Sequence, residues 1–142
     1  MQEFKWVGRP VMRVDARGKV TGGQKYMGDL RFPGMAYGRV LRSKYPHARI
    51  KSIDTARAES APGVVKVLTW RDVGGLNGYG IAIPDQPVLC SDKVRYMGDA
   101  VALVIAESPE QAEQALAVVN VEYEVLPVVD DPEAAMLPDS PR

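Results

Sequence analysis

One cysteine, Cys90, stands in the whole sequence, and that scarcity removes several kinds of protein at once. A single thiol cannot close a disulfide within the chain, and it cannot build a thiolate cage for zinc or an iron–sulfur cluster. Histidine is equally scarce. His47 stands alone, so a histidine metal cluster is excluded, and a histidine-based hydrolytic triad would have to use this residue. Excess charge is missing too. Eighteen Lys and Arg balance eighteen Asp and Glu, and no basic stripe is present, which argues against nucleic acid as a partner. Weak repulsion between copies suits a surface that lies against something else. Long apolar runs are also absent. The longest, 100–106, is far short of the ~20 residues that span a bilayer. Met1-Gln2-Glu3-Phe4-Lys5-Trp6 lacks the apolar run of a secretory leader. No membrane span and a cytoplasmic setting are therefore expected.

What remains is ordinary globular material: 142 residues, 46% apolar and 25% charged, enough for one hydrophobic core. The first third is broken by Gly8, Pro10, Gly18, Gly22, Gly23, Gly28, Pro33 and Gly34 and reads as an irregular arm with short turns. Strands are predicted over 35–42, weakened by Gly38, and over 48–54, where apolar and polar residues alternate. Asp54 or Thr55 can cap a short helix, 56–61, that Pro62-Gly63 stops. A β-branched strand follows at 64–68, then a turn capped by Thr69. Residues 74–93 read as loop. Residues 93–96 alternate, Met97-Gly98-Asp99 turns, and 100–106 reads as a strand covered on both faces. Ser108 at the N-cap, Pro109 at the first helical position and Gln111 at the reciprocal capping-box position open a helix. Its apolar face is Ala112, Ala115, Leu116 and Val119. Residues 121–125 alternate as a strand. If the strands at 100–106 and 121–125 are parallel neighbours, strand, helix and strand form a βαβ unit. After Pro127 the chain becomes polar and proline-punctuated. A single domain over 1–135, with 136–142 opening a linker, is expected.

Residues that could carry chemistry each have a plainer explanation. Gly74-Gly75-Leu76-Asn77-Gly78-Tyr79-Gly80 lacks the spacing of a dinucleotide or phosphate loop and reads as a mobile or partner-contacting loop. Cys90 could pair with His47 as a nucleophile, but its flanks match no protease signature, and a hydrogen-bonded structural histidine is the simpler reading. Glu122 and Glu124 share the polar side of one strand and read as a solvated face. Asp130, Asp131 and Glu133 read as linker charge, and Trp6 and Trp70 as packing residues. No catalytic, cofactor-binding or metal-binding residue is assigned.

Eight segments then occur together and in order. They are Lys19-Val20-Thr21-Gly22, Tyr26-Met27-Gly28-Asp29, Pro33-Gly34-Met35, and Tyr45-Pro46-His47-Ala48-Arg49-Ile50 with Ile53-Asp54. Pro62-Gly63-Val64, Val67-Leu68-Thr69 with Asp72, Val94-Arg95-Tyr96-Met97-Gly98-Asp99-Ala100-Val101-Ala102, and Val121-Glu122-Tyr123-Glu124-Val125-Leu126-Pro127 complete them. Their combination resembles the α/β hammerhead domain of the xanthine dehydrogenase and aldehyde oxidase family, the molybdenum hydroxylases. The resemblance implies an α/β (α+β) fold, a mixed sheet with short covering helices. It implies the N-terminal structural and assembly domain of a subunit that carries a molybdenum–pterin cofactor. Such enzymes hydroxylate purines, nitrogen heterocycles or aldehydes with oxygen from water, and pass electrons to iron–sulfur clusters and often to FAD. The partners implied are molybdenum-binding domains and iron–sulfur and flavin subunits; a homo-oligomer stays open. The family's base glutamate and pterin-holding residues would lie beyond Arg142, so the chain alone is expected to be non-catalytic, an expressed fragment or part of a split subunit. A free-standing binding module of the same fold is the alternative. Gly22, Gly34, Gly63 and Gly98 are expected in turns that need positive φ, and Arg49 is expected to bridge to a carbonyl or carboxylate.

Overall fold

A computed structural model describes residues 5–140; residues 1–4 and 141–142, the last two of the expected linker among them, lie outside the described residues. The chain divides into two units, Met1–Pro33 and Gly34–Arg142. The first holds a one-turn helix, α1 (Ala16–Val20), and a 3₁₀ turn at Met27–Asp29. Asp15 ties this unit locally, 2.7 Å from Lys19 Nζ and 2.5 Å from Arg13 Nε. These cations, Lys19 first, hold its carboxyl below the usual carboxylate range.

Among the described residues, the second unit carries six strands: β1 (Tyr37–Arg42), β2 (Ala48–Asp54), β3 (Val64–Leu68), β4 (Lys93–Val94), β5 (Ala100–Ala106) and β6 (Asn120–Val125). Its helices are α2 (Ala56–Glu59), α3 (Pro109–Leu116) and α4 (Pro132–Ala135). The α/β class and short covering helices are as expected. The sheet is not single or mixed: the strands form two three-stranded sheets, β1-β5-β3 and β4-β2-β6, and every pairing is antiparallel. The βαβ reading is therefore corrected. β5 and β6 flank α3 in sequence but belong to different sheets, so α3 hands the chain from one sheet to the other.

β5 is central in its sheet, and the coverage expected of its apolar run follows: Val101, Ala102, Val104 and Ala106 are fully buried. α3 lays Ala112 and Ala115 on it, and their small side chains allow close approach. Ala58, Val67, Val104 and Ala115 form one dry cluster, flanked by Leu116 and Val119, the face that helical spacing marked. Ser108 Oγ accepts the Gln111 amide at 3.2 Å, as expected of the cap. The reciprocal bond from Gln111 is absent. Gly63 (φ +77°) leaves room for the Gln111 side chain, which lies where a Cβ on Gly63 would stand, so that side chain packs over the turn. The second cluster, Ala48, Ile50, Cys90, Val94 and Val101, packs under Tyr45, Ile53, Val121 and Tyr123.

Other expectations shift in detail. The 56–61 helix ends at Glu59, with Asp54 Oδ1 accepting the Ala56 amide at 3.0 Å. The Thr69 cap forms, Asp72 returning a bond to the Thr69 amide at 2.9 Å; that bond, foremost, lowers the Asp72 pKa. The strand at 93–96 stops at Val94, because the Arg95 amide is taken by the Asp99 carboxylate at 2.9 Å. Asp131 caps α4 through the Glu133 and Ala134 amides; it is not merely linker charge. Trp6 is 63% exposed, against the packing role expected of it, whereas Trp70 is 37% exposed and packs in part. The Trp70 ring lies 5.3 Å from the Arg71 guanidinium and that of Trp6 5.2 Å from Lys5 Nζ.

Candidate functional site

His47 and Cys90 are held by separate duties. His47 Nδ1–H donates to the Pro127 carbonyl at 2.6 Å, and the His47 carbonyl accepts the Leu126 amide at 3.0 Å. The imidazole thus fastens the chain that leaves β6, a structural role. Cys90 is fully buried. Burial, and then the Asp99 carboxylate to which the thiol donates, push its pKa up to about 12. A thiol so protonated is a poor nucleophile near neutrality.

Around Cys90 lies a buried polar knot that sequence reading did not single out. Asp99 and Ser43, both nearly inaccessible, bind the loop after β1 to the turn before β5. The Ser43 amide donates to the Asp99 carbonyl and the Gly98 amide to the Ser43 carbonyl, each at 2.8 Å. Ser43 Oγ donates to the Tyr45 carbonyl at 2.9 Å and also pairs with the Tyr123 hydroxyl, whose pKa burial raises. Gly98, at φ +98°, makes the turn that aims Asp99 inward. The motif 94–102 thus has a structural duty: the Asp99 carboxylate accepts the Arg95 amide just past β4 and the buried Cys90 thiol. Gly22 and Gly34 also show the positive φ expected of them.

The glycine-rich stretch lies in loop, as expected, and folds back on itself as a hairpin closed by one isolated bridge, Tyr79 with Gln86. Tyr79 and Gln86 exchange amide–carbonyl bonds at 2.8 and 3.2 Å. Asn77 donates to the Leu89 carbonyl at 2.8 Å and accepts the Val88 and Leu89 amides. Gly78 and Gly80 are needed because the chain returning through Ile83 and Pro84 occupies the space of a Cβ. Asn77 was the available signal, since a lone Asn among glycines often ties a turn. Ile81 and Ile83 at the hairpin tip and Leu76 at its base are exposed.

Glu122 and Glu124 are exposed on β6, as expected of a solvated face. Ser52 donates to Glu122 at 3.4 Å, and Arg49 reaches Glu124 at 3.8 Å, the carboxylate bridge expected of it. Two clefts lie in the second unit. One, about 580 Å³, lies on the face of β1-β5-β3 away from α3; Val40, Leu68 and Leu103 line it with Tyr79, Val88 and Tyr96. The other, about 650 Å³, lies between β2 and β3 and is lined by Lys51, Lys66, Arg71, Glu59 and Asp72 among others. Among the described residues no three His, Cys, Asp or Glu side chains gather to hold a metal ion, and no helix is long and apolar enough to cross a membrane.

Residues 21–127 match the family described as "Aldehyde oxidase and xanthine dehydrogenase, a/b hammerhead domain". The chain belongs to this family. It is 60% identical over 131 residues to a probable xanthine dehydrogenase subunit of Bacillus subtilis, a match that covers 92% of this chain and 18% of that protein. It is 41% identical over 140 residues to the nicotinate dehydrogenase large molybdopterin subunit of Eubacterium barkeri, 99% of this chain and 33% of that one. Among solved structures, the CO dehydrogenase of Oligotropha carboxidovorans superposes with a TM-score of 0.87 at 41% identity, over 94% of this chain and 17% of the other. The aldehyde oxidoreductase of Desulfovibrio gigas gives 0.85 at 37%, over 92% and 16%. This hammerhead chain thus spans from about a tenth to a third of the relatives it matches.

Proposed function

We propose that the chain serves as the N-terminal assembly domain of the molybdenum-bearing subunit of a hydroxylase acting on a purine, nitrogen heterocycle or aldehyde. Residues 1–135 form the hammerhead domain and 136–142 open the connection to the molybdenum-binding region. The partners are that region and iron–sulfur and flavin subunits, in the cytoplasm. The chain supplies no catalytic, cofactor-binding or metal-binding residue. One observation carries this reading: almost the whole chain superposes on about a sixth of the CO dehydrogenase chain, so it corresponds to a part and not to the whole. The chemistry of its side chains supports it. One buried, protonated thiol and one imidazole bonded to a carbonyl do not fit an iron–sulfur cluster or a metal centre. The chemistry of such groups belongs to the other regions.

The test is the purified 142-residue chain. It should hold no stoichiometric molybdenum, iron or flavin, and should leave purines, aldehydes and nicotinate unoxidised with an artificial electron acceptor. Stoichiometric metal by elemental analysis, or turnover, overturns the reading.

A further inference from the structure

The polar cleft between β2 and β3 meets residues 50–53 of one strand and 64–67 of the other. Successive side chains of a strand point to opposite faces, so a cavity touching four in a row runs along an edge, not over a face. Both edges are open. β3 ends its sheet. β4 pairs with β2 only at Ala48 and Arg49, and the Ile50 amide donates to the Asp92 carbonyl. From Lys51 onward, among the described residues, β2 has no strand on that side. α2 and the turn at Trp70–Asp72 close the ends.

Open edges accept another strand, main-chain bonds supplying affinity and side chains specificity. The charges favour one kind of strand. Both carboxylates at the cleft are engaged within the chain: Glu59 accepts the Thr55 hydroxyl at 2.7 Å, and Asp72 accepts the Thr69 amide and lies 4.0 Å from Lys66. Lys51 meets no carboxylate among the described residues, and Arg71 rests over Trp70. Lys66 stands on the β3 edge beside the register shift at Val64/Lys66. An edge lysine beside such an irregularity deters indiscriminate pairing; Lys66, 60% exposed and as far as 4.0 Å from Asp72, keeps ammonium donors for a carboxylate that an added strand brings.

We propose that this cleft receives an extended, acid-bearing segment from the remainder of the same subunit. The segment adds along β3 with its carboxylates toward Lys51, Lys66 and Arg71. This rests on the assembly reading above. The source follows from length, since more than four-fifths of the Bacillus subtilis relative lies outside the matched part.

Hydrogen exchange decides it. The 142-residue chain is measured alone, with a capped hexapeptide alternating Val and Glu, with the corresponding Val and Lys peptide, and with the remainder of its subunit. The outward amides of β3 should slow at least tenfold with the acidic peptide and with the subunit remainder, and stay unchanged with the basic peptide. Lys66→Glu, at an exposed side chain, should abolish the acidic peptide's effect; Lys51→Glu should weaken it. If the remainder binds without slowing β3, the cleft proposal fails and the assembly reading stands. If the peptide protects β3 but the remainder does not bind, the assembly reading and the proposed source both fail. Equal protection by the basic peptide, or none by the acidic one, overturns the proposal.

Discussion

The two cores of the second unit are built on different principles. Under α3, Ala58, Val67, Val104 and Ala115 meet with no polar atom among their side chains. Under β2, the cluster of Ala48, Ile50, Cys90, Val94 and Val101 adjoins Ser43 and Asp99, which hold the loop after β1 to the turn before β5. The first core depends on shape and dryness. The second depends on polar groups finding acceptors: the Asp99 carboxylate takes the Arg95 amide, and carbonyls of Asp99 and Tyr45 take the Ser43 amide and hydroxyl. A dry cluster tolerates loss of a methyl better than gain of a charge; a polar knot fails when its acceptor is removed.

The largest expected effect follows from putting charge into the dry core. Val104→Asp places a carboxylate where Val104 is fully buried. It should cost several kcal/mol and remove the cooperative denaturant transition of the chain; a normal transition would mean that this cluster is wet.

Removing the acceptor from the polar core comes next. Asp99→Ala leaves the part-buried bond from the Arg95 amide without its 2.9 Å acceptor and should cost about 1.5–3 kcal/mol, as for a bond to a charged group. Asp99→Asn, which keeps an acceptor oxygen, should cost less. Equal costs would show that only volume matters at this position.

Cys90 gives the same core a pH signature. Its folded pKa, about 12, lies above the ordinary 9.0. Above pH 9 the unfolded chain therefore loses a thiol proton that the folded chain keeps. Stability contributed by the protonated thiol is complete below about pH 9 and is lost as pH rises toward 12. Cys90→Ala should flatten this alkaline decline in denaturation midpoints; an unchanged slope contradicts the assigned environment.

The helix over the dry core supplies the smallest effects. Leu116 is only half-buried against the cluster, so Leu116→Ala should cost about 2 kcal/mol, the low end for such truncations. Ser108→Ala should cost less, about 1 kcal/mol, through loss of the bond from the Gln111 amide. Denaturant titration that reverses this order would show that the cap outweighs packing.

The same contrast explains what could be read in advance. The dry core lies on two periodic segments, so spacing alone located α3, its face and the buried β5. Antiparallel pairing into two sheets was not legible, because β5 and β6 have the apolar patterns of neighbours while their partners, β1 and β2, lie far back in the chain. The polar knot draws on Ser43, Cys90, Asp99 and Tyr123, which share no period and carry no meaning until folded together. Gln111 has the right spacing for a capping box, yet Gly63 opens space that its side chain fills. Likewise the exposed apolar residues of the hairpin were foreseeable from irregular sequence, whereas the cleft along two strand edges needed the sheet order.

The most direct measurement is calorimetric titration of the 142-residue chain with the remainder of its subunit, at several temperatures, beside light scattering over a concentration series. Trp6, Val7, Val11, Met12, Leu76, Tyr79, Ile81 and Ile83 are all exposed, and apolar surface of this kind marks contact regions. The assembly account predicts self-association of the lone chain and saturable binding with a negative heat-capacity change from apolar burial. A monodisperse monomer at high concentration that gives no binding heat would contradict it.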